Sequence, residues 1–274
     1  MNSAQGRKPM FKVVFFLWRR PDLSRQDYLR YYEDKHSVLG SNVVPRGTDY
    51  RRSYPIWDSA ADASGNINNG KAVFGFAPFD SMTEMWYEDR AACETVMSLV
   101  RQSPARDLLE EDEKRFIDRE QYVYSAVDEF GVENSGSEIP TSAAIKIIRY
   151  ACRAPGLSNA DFRSRYERES APPKYELLPG LVAYRRNYPV FDDPLSFIGI
   201  YSGPSQTYGK NEFAVDLIEE IWADNRGKAE RIFEVLDGPD RLIDEKKSFR
   251  MIFEEHRSSY GRFMAPVASG LLND

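Results

Sequence analysis

The chain has 274 residues, of which 42% are hydrophobic and 29% are charged, and its formal net charge is -6. This balance is typical of a globular protein and excludes a fibrous or disordered chain. The acidic excess argues against nucleic acid as a partner, because phosphate binding requires a basic face. No run of about 18 apolar residues and no signal-peptide core is present, so we expect no membrane contact and a cytoplasmic location.

The cysteine and histidine content gives no sign of a metal site. Cys93 and Cys152 have no CxxC spacing, and the chain has two histidines. This usage predicts reduced thiols, no disulfide framework and no metal. Nucleotide-binding and hydrolase fingerprints are also missing from the sequence, which favours chemistry without a cofactor.

The first part of the sequence is repeated later in the chain. Phe11 to Asp58 aligns without a gap on residues 145–192, with 15 of 48 positions identical. Random pairing would give about three matches at ordinary residue frequencies. A second stretch, EMWYEDR, recurs as EIWADNR. The sequence therefore predicts two copies of one α+β unit.

Each copy opens with a short apolar segment, FKVVFFLW or IKIIRYAC, whose β-branched and aromatic residues favour a strand. A proline then breaks the strand. Ser24 or Ser158 is placed to cap a following helix, which we expect to end near Leu39 in the first copy. A second strand follows, and Pro55 within it indicates a sheet edge or a bulge.

A third strand passes through Met85 and Trp86, a second helix spans RAACETVMSLV, and EQYVYSAV closes the copy as a strand. The order β-α-β-β-α-β is the ferredoxin-like arrangement, and two such sheets can pack face to face or join at their edges. The predicted fold is α+β, with two tandem ferredoxin-like repeats forming a pseudo-dimeric α+β barrel.

The repeat also predicts the domain boundaries. Residues 10–128 form the first ferredoxin-like domain, 129–142 a linker rich in Gly, Ser and Pro, 143–256 the second domain and 257–274 a C-terminal tail. An internal pseudo-dimer is compatible with a monomer, and a homodimer stays open. Residues 59–78 are interpreted as a long loop over one end of the first copy.

The first helix carries the best candidate for chemistry. Tyr28, Tyr32 and His36 are spaced by four, so they lie on one stripe that faces the sheet. The matching residues of the second copy are Phe162, Tyr166 and Ser170. A histidine at the mouth of an apolar pocket can transfer a proton near neutral pH. The alternative is a structural histidine that caps the helix C-terminus.

The arginine pairs of the two copies are candidates to hold a carboxylate or phenolate of a ligand: Arg51 and Arg52, with Arg185 and Arg186. The alternative is a structural role in which they join the halves by binding Glu33, Glu167, Asp58 or Asp192. Aromatic residues that are candidates to line a cavity, with the core as the alternative, are Tyr54, Trp57, Phe74, Phe76 and Trp86. His256 has no counterpart in the first copy, and we expect it at the surface.

Two segments, LWRRPDLSRQDYLRYYEDKHSVL and IRYACRAPGLSNADFRSRYERESAP, resemble the opening of the EthD domain family, named for ethyl tert-butyl ether degradation. The later DSMTEMWYED is similar to a family strand in which Asp80, Glu84 and Trp86 match. The resemblance implies a dimeric α+β barrel without a cofactor, in which the family's histidine, here His36, is the acid or base. The second copy departs at Ser170, which argues against a second active site.

On this basis the predicted function is a cofactor-independent lyase that dehydrates, decarboxylates or cleaves a small aromatic or hydrophobic molecule. His36 is its proton-transfer residue. The predicted substrate-binding residues are Tyr28, Tyr32, Arg52, Tyr54, Trp57, Phe74, Phe76 and Trp86. Two alternatives stay open: a non-catalytic protein that binds or carries a hydrophobic ligand, and a cofactor-free oxygenase or heme-handling protein of the same superfamily.

Overall fold

The computed structural model describes residues 10–44, 49–56, 79–132, 145–169, 180–190, 215–236 and 241–257. The elements of the first half are β1 (Phe11–Arg19), α1 (Arg25–Tyr31), a π-helical turn (Tyr32–His36), α2 (Ser37–Val43), β2 (Asp49–Pro55), β3 (Ser81–Tyr87), α3 (Arg90–Gln102), α4 (Ala105–Glu113) and β4 (Ile117–Val132). Those of the second half are β5 (Ile145–Ala151), α5 (Asn159–Glu169), β6 (Leu181–Pro189), β7 (Leu217–Ala223), α6 (Arg226–Leu236) and β8 (Phe249–Arg257).

The strands form one closed antiparallel barrel in the order β1-β3-β2-β8-β5-β7-β6-β4. Each half contributes four adjacent strands. The halves meet where β2 pairs with β8 and where β4 pairs with β6. Of the two arrangements that the sequence allowed, the edge-to-edge one is therefore correct. An α+β barrel is the fold of this chain.

Local sequence signals explain how the helices begin. The Ser24 hydroxyl accepts a hydrogen bond from the backbone N–H of Asp27, and Ser158 accepts the same bond from Asp161. Both serines cap their helices as predicted. The first helix is longer than predicted, because α2 continues to Val43 after the π-helical turn.

Two expectations need correction, and one helix was not predicted. β2 is not an edge strand, since it pairs with both β3 and β8; Pro55 is tolerated because it is the last residue of the strand. β4 runs to Val132, so the strand includes the first residues of the predicted linker. A helix that was not predicted, α4, lies between α3 and β4. The predicted long loop at 59–78 lies outside the described residues.

The barrel interior is apolar along much of its length. Aromatic residues from both halves meet there: Phe16 lies 5.9 Å from Tyr150 and Phe79 lies 6.2 Å from Phe253, measured between ring centroids. Aliphatic residues such as Val14 and Ile148 belong to the same buried cluster. This shared core joins the halves into one folding unit.

A second part of the interior is ionic. Lys12 and Glu84 from the first half meet Lys146 and Glu220 from the second, so that positive and negative charges alternate, and all four side chains are fully buried. We call these residues the four-charge ring. Burial disfavours the charged amines, but the adjacent glutamates outweigh it and raise the pKa of both lysines.

The helices cover the outside of the barrel. Alternate residues of β1, such as Val13 and Leu17, face outward and pack in one cluster with Tyr28, Cys93 and Met97 from the helices. Both faces of β1 are therefore buried. Within the described ranges, the helices are too short or too polar to cross a bilayer.

Candidate functional site

A cavity lies between the outer face of β1, β3 and β2 and the helices that cover them. The empty space at this site, counted together with the open solvent at its mouth, is about 710 Å³. Its residues include Phe15, Leu17, Tyr32, His36, Gly40, Val44, Tyr50, Thr83, Met85, Tyr87, Met97, Leu109 and Glu113. A largely apolar lining with a few polar groups is typical of a small-molecule site.

The π-helical turn brings His36 to this cavity. One wider turn spans Tyr32–His36 between two α-helical segments, and such turns are often found at functional sites. The ring of His36 packs against Tyr32 and Phe116, with centroid distances of 5.1 and 4.8 Å. The histidine is thus held by aromatic contacts with its ring in the cavity wall.

Asp112 fixes the orientation of His36. Nδ1 of His36 lies 2.8 Å from Oδ2 of Asp112, and the hydroxyl of Tyr31 donates to Oδ1 at 2.7 Å. Burial opposes ionisation of Asp112, but these hydrogen bonds outweigh it and lower its pKa. Since a carboxylate can only accept, the proton at this contact is on Nδ1. Nε2 of a neutral His36 is then a base, and we call His36 and Asp112 the base dyad.

Reasoning from the sequence did not find Asp112. It lies on α4, in the segment ARDLLEEDE, where the paired leucines and the acidic first turn are a signal for an amphipathic helix. The carboxylate is 76 positions from its histidine. Nothing local in the sequence indicates that these two side chains meet.

Three of the predicted site residues form contacts that hold the first helix on the sheet. Tyr28 is fully buried and its hydroxyl contacts Ser81 Oγ at 2.6 Å. Arg52 forms two hydrogen bonds with Glu33, at 2.7 and 2.8 Å, and Tyr54 donates to the same carboxylate. Arg52 therefore makes the contact with Glu33 that was the alternative to ligand binding.

Trp86 does not lie in the cavity. Its ring is inside the barrel, 4.4 Å from the amine of Lys12, and its indole N–H donates to Glu129 at 3.1 Å. Alternate residues of β3 face opposite sides, so Thr83 and Met85 face the cavity and Trp86 faces away. Trp57, Phe74 and Phe76 lie outside the described residues.

The predicted residues that do share the cavity are Tyr32 and His36. Two residues with hydroxyl groups that were not predicted, Tyr50 and Thr83, also line the cavity. The hydroxyl of Tyr32 lies 2.6 Å from Thr83 Oγ1, and Tyr50 donates to the hydroxyl of Tyr32 at 3.4 Å. Burial raises the pKa of both phenols, so both keep their protons at neutral pH.

The second half differs at the corresponding positions. Phe15 and Thr83, paired on adjacent strands of the first half, correspond to Arg149 and Glu219, which are paired in the same register. Arg149 Nη1 lies 3.3 Å from Glu219 Oε2 in the core of that half. Where the first half has an apolar residue and a small hydroxyl, the second has a buried ion pair.

His256 keeps its side chain 29% exposed, and it also makes contacts that the sequence did not predict. It is opposite Arg52 across the β2–β8 pair, and its Nδ1 lies 3.4 Å from Glu33 Oε2. Its ring also packs edge-on against Tyr54, with centroids 5.3 Å apart. The hydrogen bond with Glu33 is the largest influence on His256 and raises its pKa, although burial opposes this.

Heme does not fit the described lining of the cavity. His36 offers one imidazole, but the lining contains Glu113 and no Lys or Arg to pair with heme carboxylates. Within the described ranges, no three His, Cys, Asp or Glu side chains come together as a metal site. The prediction that no cofactor takes part stays a prediction.

Comparisons with known proteins agree with this architecture. A search of curated proteins found no match. An anthrone oxidase-like protein of known structure superposes with a TM-score of 0.52 at 9% identity, over 94% of this chain and 96% of that chain. An EthD family protein from Bacillus halodurans C-125 has 17% identity and a TM-score of 0.29, over 43% of this chain and 95% of its own.

A mutant chlorite dismutase from Candidatus Nitrospira defluvii has 8% identity and a TM-score of 0.42, over 91% of this chain and 92% of that chain. The superposition at 0.52 supports the barrel fold. The family model of the EthD domain matches residues 20–120, which include His36, Asp112 and the cavity-lining strands β2 and β3. The match to the EthD domain model therefore covers the part of the chain that holds the candidate site.

Proposed function

We propose that the first half is a cofactor-independent oxygenase that deprotonates a small aromatic ketone or phenol and lets molecular oxygen react with the resulting anion. The observation that carries this proposal is the base dyad at the wall of an apolar cavity. From the sequence alone, a lyase was the main prediction and an oxygenase was an alternative. The proposal reverses that order.

The geometry of the base dyad suits proton removal from the substrate. Asp112 holds the proton on Nδ1 of His36 and stabilises the imidazolium that forms when Nε2 takes a second proton. The side chain of His36 is 13% exposed, so its charge is poorly screened by water and the dyad interaction is strengthened. The apolar walls then hold a flat ring beside the base.

An anthrone illustrates the complete reaction. His36 removes a proton from the ring CH₂ group, and the electron pair is delocalised onto the ring oxygen. Molecular oxygen forms a C–O bond at that carbon, and the resulting peroxide loses water to leave a second ring carbonyl. One anthrone and one O₂ give one anthraquinone and one water. The description of the superposed protein as anthrone oxidase-like suggests this substrate class.

Oxygen uptake tests the proposal. Anthrone and 1,8-dihydroxyanthrone would be supplied to wild type and to His36→Gln, with uncatalysed oxidation in buffer subtracted. We expect His36→Gln to lose a factor of about 10²–10⁴ in rate. His256→Gln is the matched control, because it removes the chain's other histidine outside the cavity. Equal rates for His36→Gln and wild type, or no uptake with wild type, would overturn the proposal.

A lyase is the second candidate, and Glu113 favours it. This carboxyl group lines the cavity with His36, so the site contains both a base and a group that can protonate a departing hydroxyl. Product formation in the absence of oxygen would identify a lyase. Ligand binding without conversion under either condition would identify the binding protein.

We also propose that the chain is organised as two domains, of which the second is a scaffold. Within each half the strand order, β4-β1-β3-β2 in the first and β8-β5-β7-β6 in the second, supports a ferredoxin-like unit. We propose two such domains, with the first extended from 128 to the end of β4 at Val132 and the second from 143 to the end of β8 at Arg257. The contacts of Arg149 and Glu219 support a scaffold role for the second domain. We retain a small aromatic molecule as the partner and either a monomer or a homodimer as the assembly.

A further inference from the structure

In the second half, one carboxylate oxygen of Glu219 accepts hydrogen bonds from two tyrosine hydroxyl groups. Tyr166 and Tyr184 both donate to Oε1 of Glu219, at 2.7 and 2.5 Å. The glutamate is fully buried, and Arg149 is within hydrogen-bond distance of its other oxygen. One carboxyl oxygen therefore receives two phenolic hydrogen bonds inside the protein.

The first half keeps the two tyrosines and lacks the carboxyl group. They are Tyr32 and Tyr50, and Thr83 stands at the position of Glu219. The backbone register is conserved, because Thr83 is opposite Arg52 on β2 just as Glu219 is opposite its repeat on β6. Tyr32, Tyr50 and Thr83 all line the cavity. A ligand in the cavity can therefore reach the hydroxyl groups of Tyr32 and Tyr50. They correspond to the two hydroxyl groups that donate to Glu219 in the second half.

We propose that the first-half cavity binds an aromatic oxyanion between the hydroxyl groups of Tyr32 and Tyr50, where the second half places Glu219 Oε1. This inference rests on the proposed function, since the oxyanion is the phenolate or enolate that forms when His36 removes a proton. It adds a substrate requirement: a ring oxygen that becomes negatively charged. Donors aimed at developing charge stabilise the transition state more than the substrate.

Charge distribution favours a phenolate or enolate over a carboxylate. The second-half carboxylate has the guanidinium of Arg149 beside it, and the corresponding residue in the first half is Phe15. A localised charge in the first half would lack that cation, and a buried unpaired charge is costly. A phenolate or enolate spreads its charge over a ring that can pack on Phe15.

Binding of 4-nitrophenol tests the inference, because the phenolate form absorbs visible light. Wild type should bind the phenolate and shift its ionisation toward the anion. Tyr50→Phe should weaken binding by about tenfold or more, as expected for a hydrogen bond to a charged group. Thr83→Glu should abolish binding, because its carboxyl group occupies the oxyanion position. Tyr184→Phe, the matched second-half variant, should bind as wild type does.

Circular dichroism and thermal unfolding would establish that each variant is folded. If Thr83→Glu fails to fold, Tyr32→Phe and Tyr50→Phe decide the question. Wild-type affinity in both, or no phenolate binding by wild type, would overturn the inference.

The same titration on His36→Gln separates this inference from the proposed function. If phenolate binding persists and wild type shows no turnover, the oxyanion site stands and the oxygenase proposal fails. If turnover depends on His36 but Tyr50→Phe binds phenolate like wild type, the oxygenase stands and the oxyanion site fails.

Discussion

Lys12 of the first half and Glu220 of the second form an ion pair of 2.5 Å inside the barrel, although 208 positions separate them. Lys12 also lies 2.7 Å from Glu84, and Lys146 lies 3.0 Å from Glu220. Each charge of the four-charge ring thus has an opposite charge from its own half and one from the other half. The ring is fully assembled only when both halves are in register.

Removing one charge of this ring should destabilise the protein strongly. Lys12→Met leaves buried carboxylates without one of their cations, and we expect it to lower the free energy of unfolding by about 3–5 kcal/mol. Lys12→Met with Glu220→Met removes a matched pair and should cost less than the single change. Denaturant unfolding of the four proteins of this double-mutant cycle measures the difference. Additive losses would contradict the interpretation.

Acid should weaken the contact between Glu33 and Arg52. Burial opposes ionisation of Glu33, but hydrogen bonds from Arg52 and His256 outweigh it and hold the pKa of Glu33 well below its usual range. The resulting stability is present above the unfolded value of about 4.3 and is lost as the pH falls. Glu33→Gln should therefore lower the free energy of unfolding at neutral pH and flatten its decline in acid.

Unfolding free energies of Glu33→Gln measured between neutral and acidic pH check this expectation. Asp34→Asn, which changes an exposed carboxylate on the same turn, is the control. An acid profile of Glu33→Gln that parallels wild type would rule out the contact as the source of the pH dependence.

His256 should stabilise the protein at acidic pH and lose this effect as the pH rises, which is the opposite of Glu33. The contact with Glu33 raises the pKa of His256, and Glu254 adds to this, while burial opposes it. The stability that protonated His256 contributes is present below the unfolded value of about 6.5 and is lost as the pH rises through the folded value. The free energy of unfolding of His256→Gln should be lower than that of wild type near pH 5.5, where His256 is protonated. Near pH 9, where His256 is neutral, the two values should be nearly equal.

An NMR titration of the two histidines gives the His256 pKa directly, and denaturant unfolding at both pH values gives the stability difference. A larger stability loss at the alkaline pH would show that the sign is wrong.

Gly40 offers a test of the cavity that does not depend on chemistry. A Cβ built at this helical position meets no atom of the described residues within 4 Å, and Gly40 lines the cavity. Gly40→Ala should stabilise the helix by up to about 1 kcal/mol. Gly40→Leu should keep most of that gain while its side chain enters the cavity and blocks 4-nitrophenol. Thermal unfolding and calorimetric titration measure the two effects, and loss of stability in Gly40→Leu would count against an open cavity.

Asp112→Asn should impair turnover without removing His36. The amide N–H of asparagine can donate a hydrogen bond to Nδ1, which favours the other imidazole tautomer and makes Nε2 a donor instead of a base. With any substrate that wild type converts, we expect the rate of Asp112→Asn to be lower by about 10²-fold or more. Tyr31→Phe keeps the carboxylate and should have a much smaller effect. Single-turnover rates across pH would distinguish a changed base from a changed affinity.

Much of the fold follows from local sequence. The repeat, the β-branched opening strands and the capping serines predicted two matching units, because each signal acts over a few residues. The side on which Trp86 lies could not be predicted in this way. Interior and helix-covered faces of a barrel strand are both apolar, so the alternation that separates core from solvent elsewhere is weak in β3.

The candidate site was harder to predict for a related reason. His36 was singled out because its repeat position holds Ser170, but its partner Asp112 comes from α4, which is distant in sequence. Likewise, His256 reaches Glu33 only because β8 pairs with β2. Contacts that depend on the closure of the whole barrel leave no local periodicity or motif in the sequence.

The buried pair of Arg149 and Glu219 has a consequence for how this protein can change. In an assembly of two identical chains, one gene supplies both halves, and a substitution that filled one cavity would fill the other as well. A duplicated and fused chain removes that constraint. One half can acquire an internal ion pair while the other keeps an apolar residue and a hydroxyl group at the same positions, so the two copies become free to diverge under separate selection.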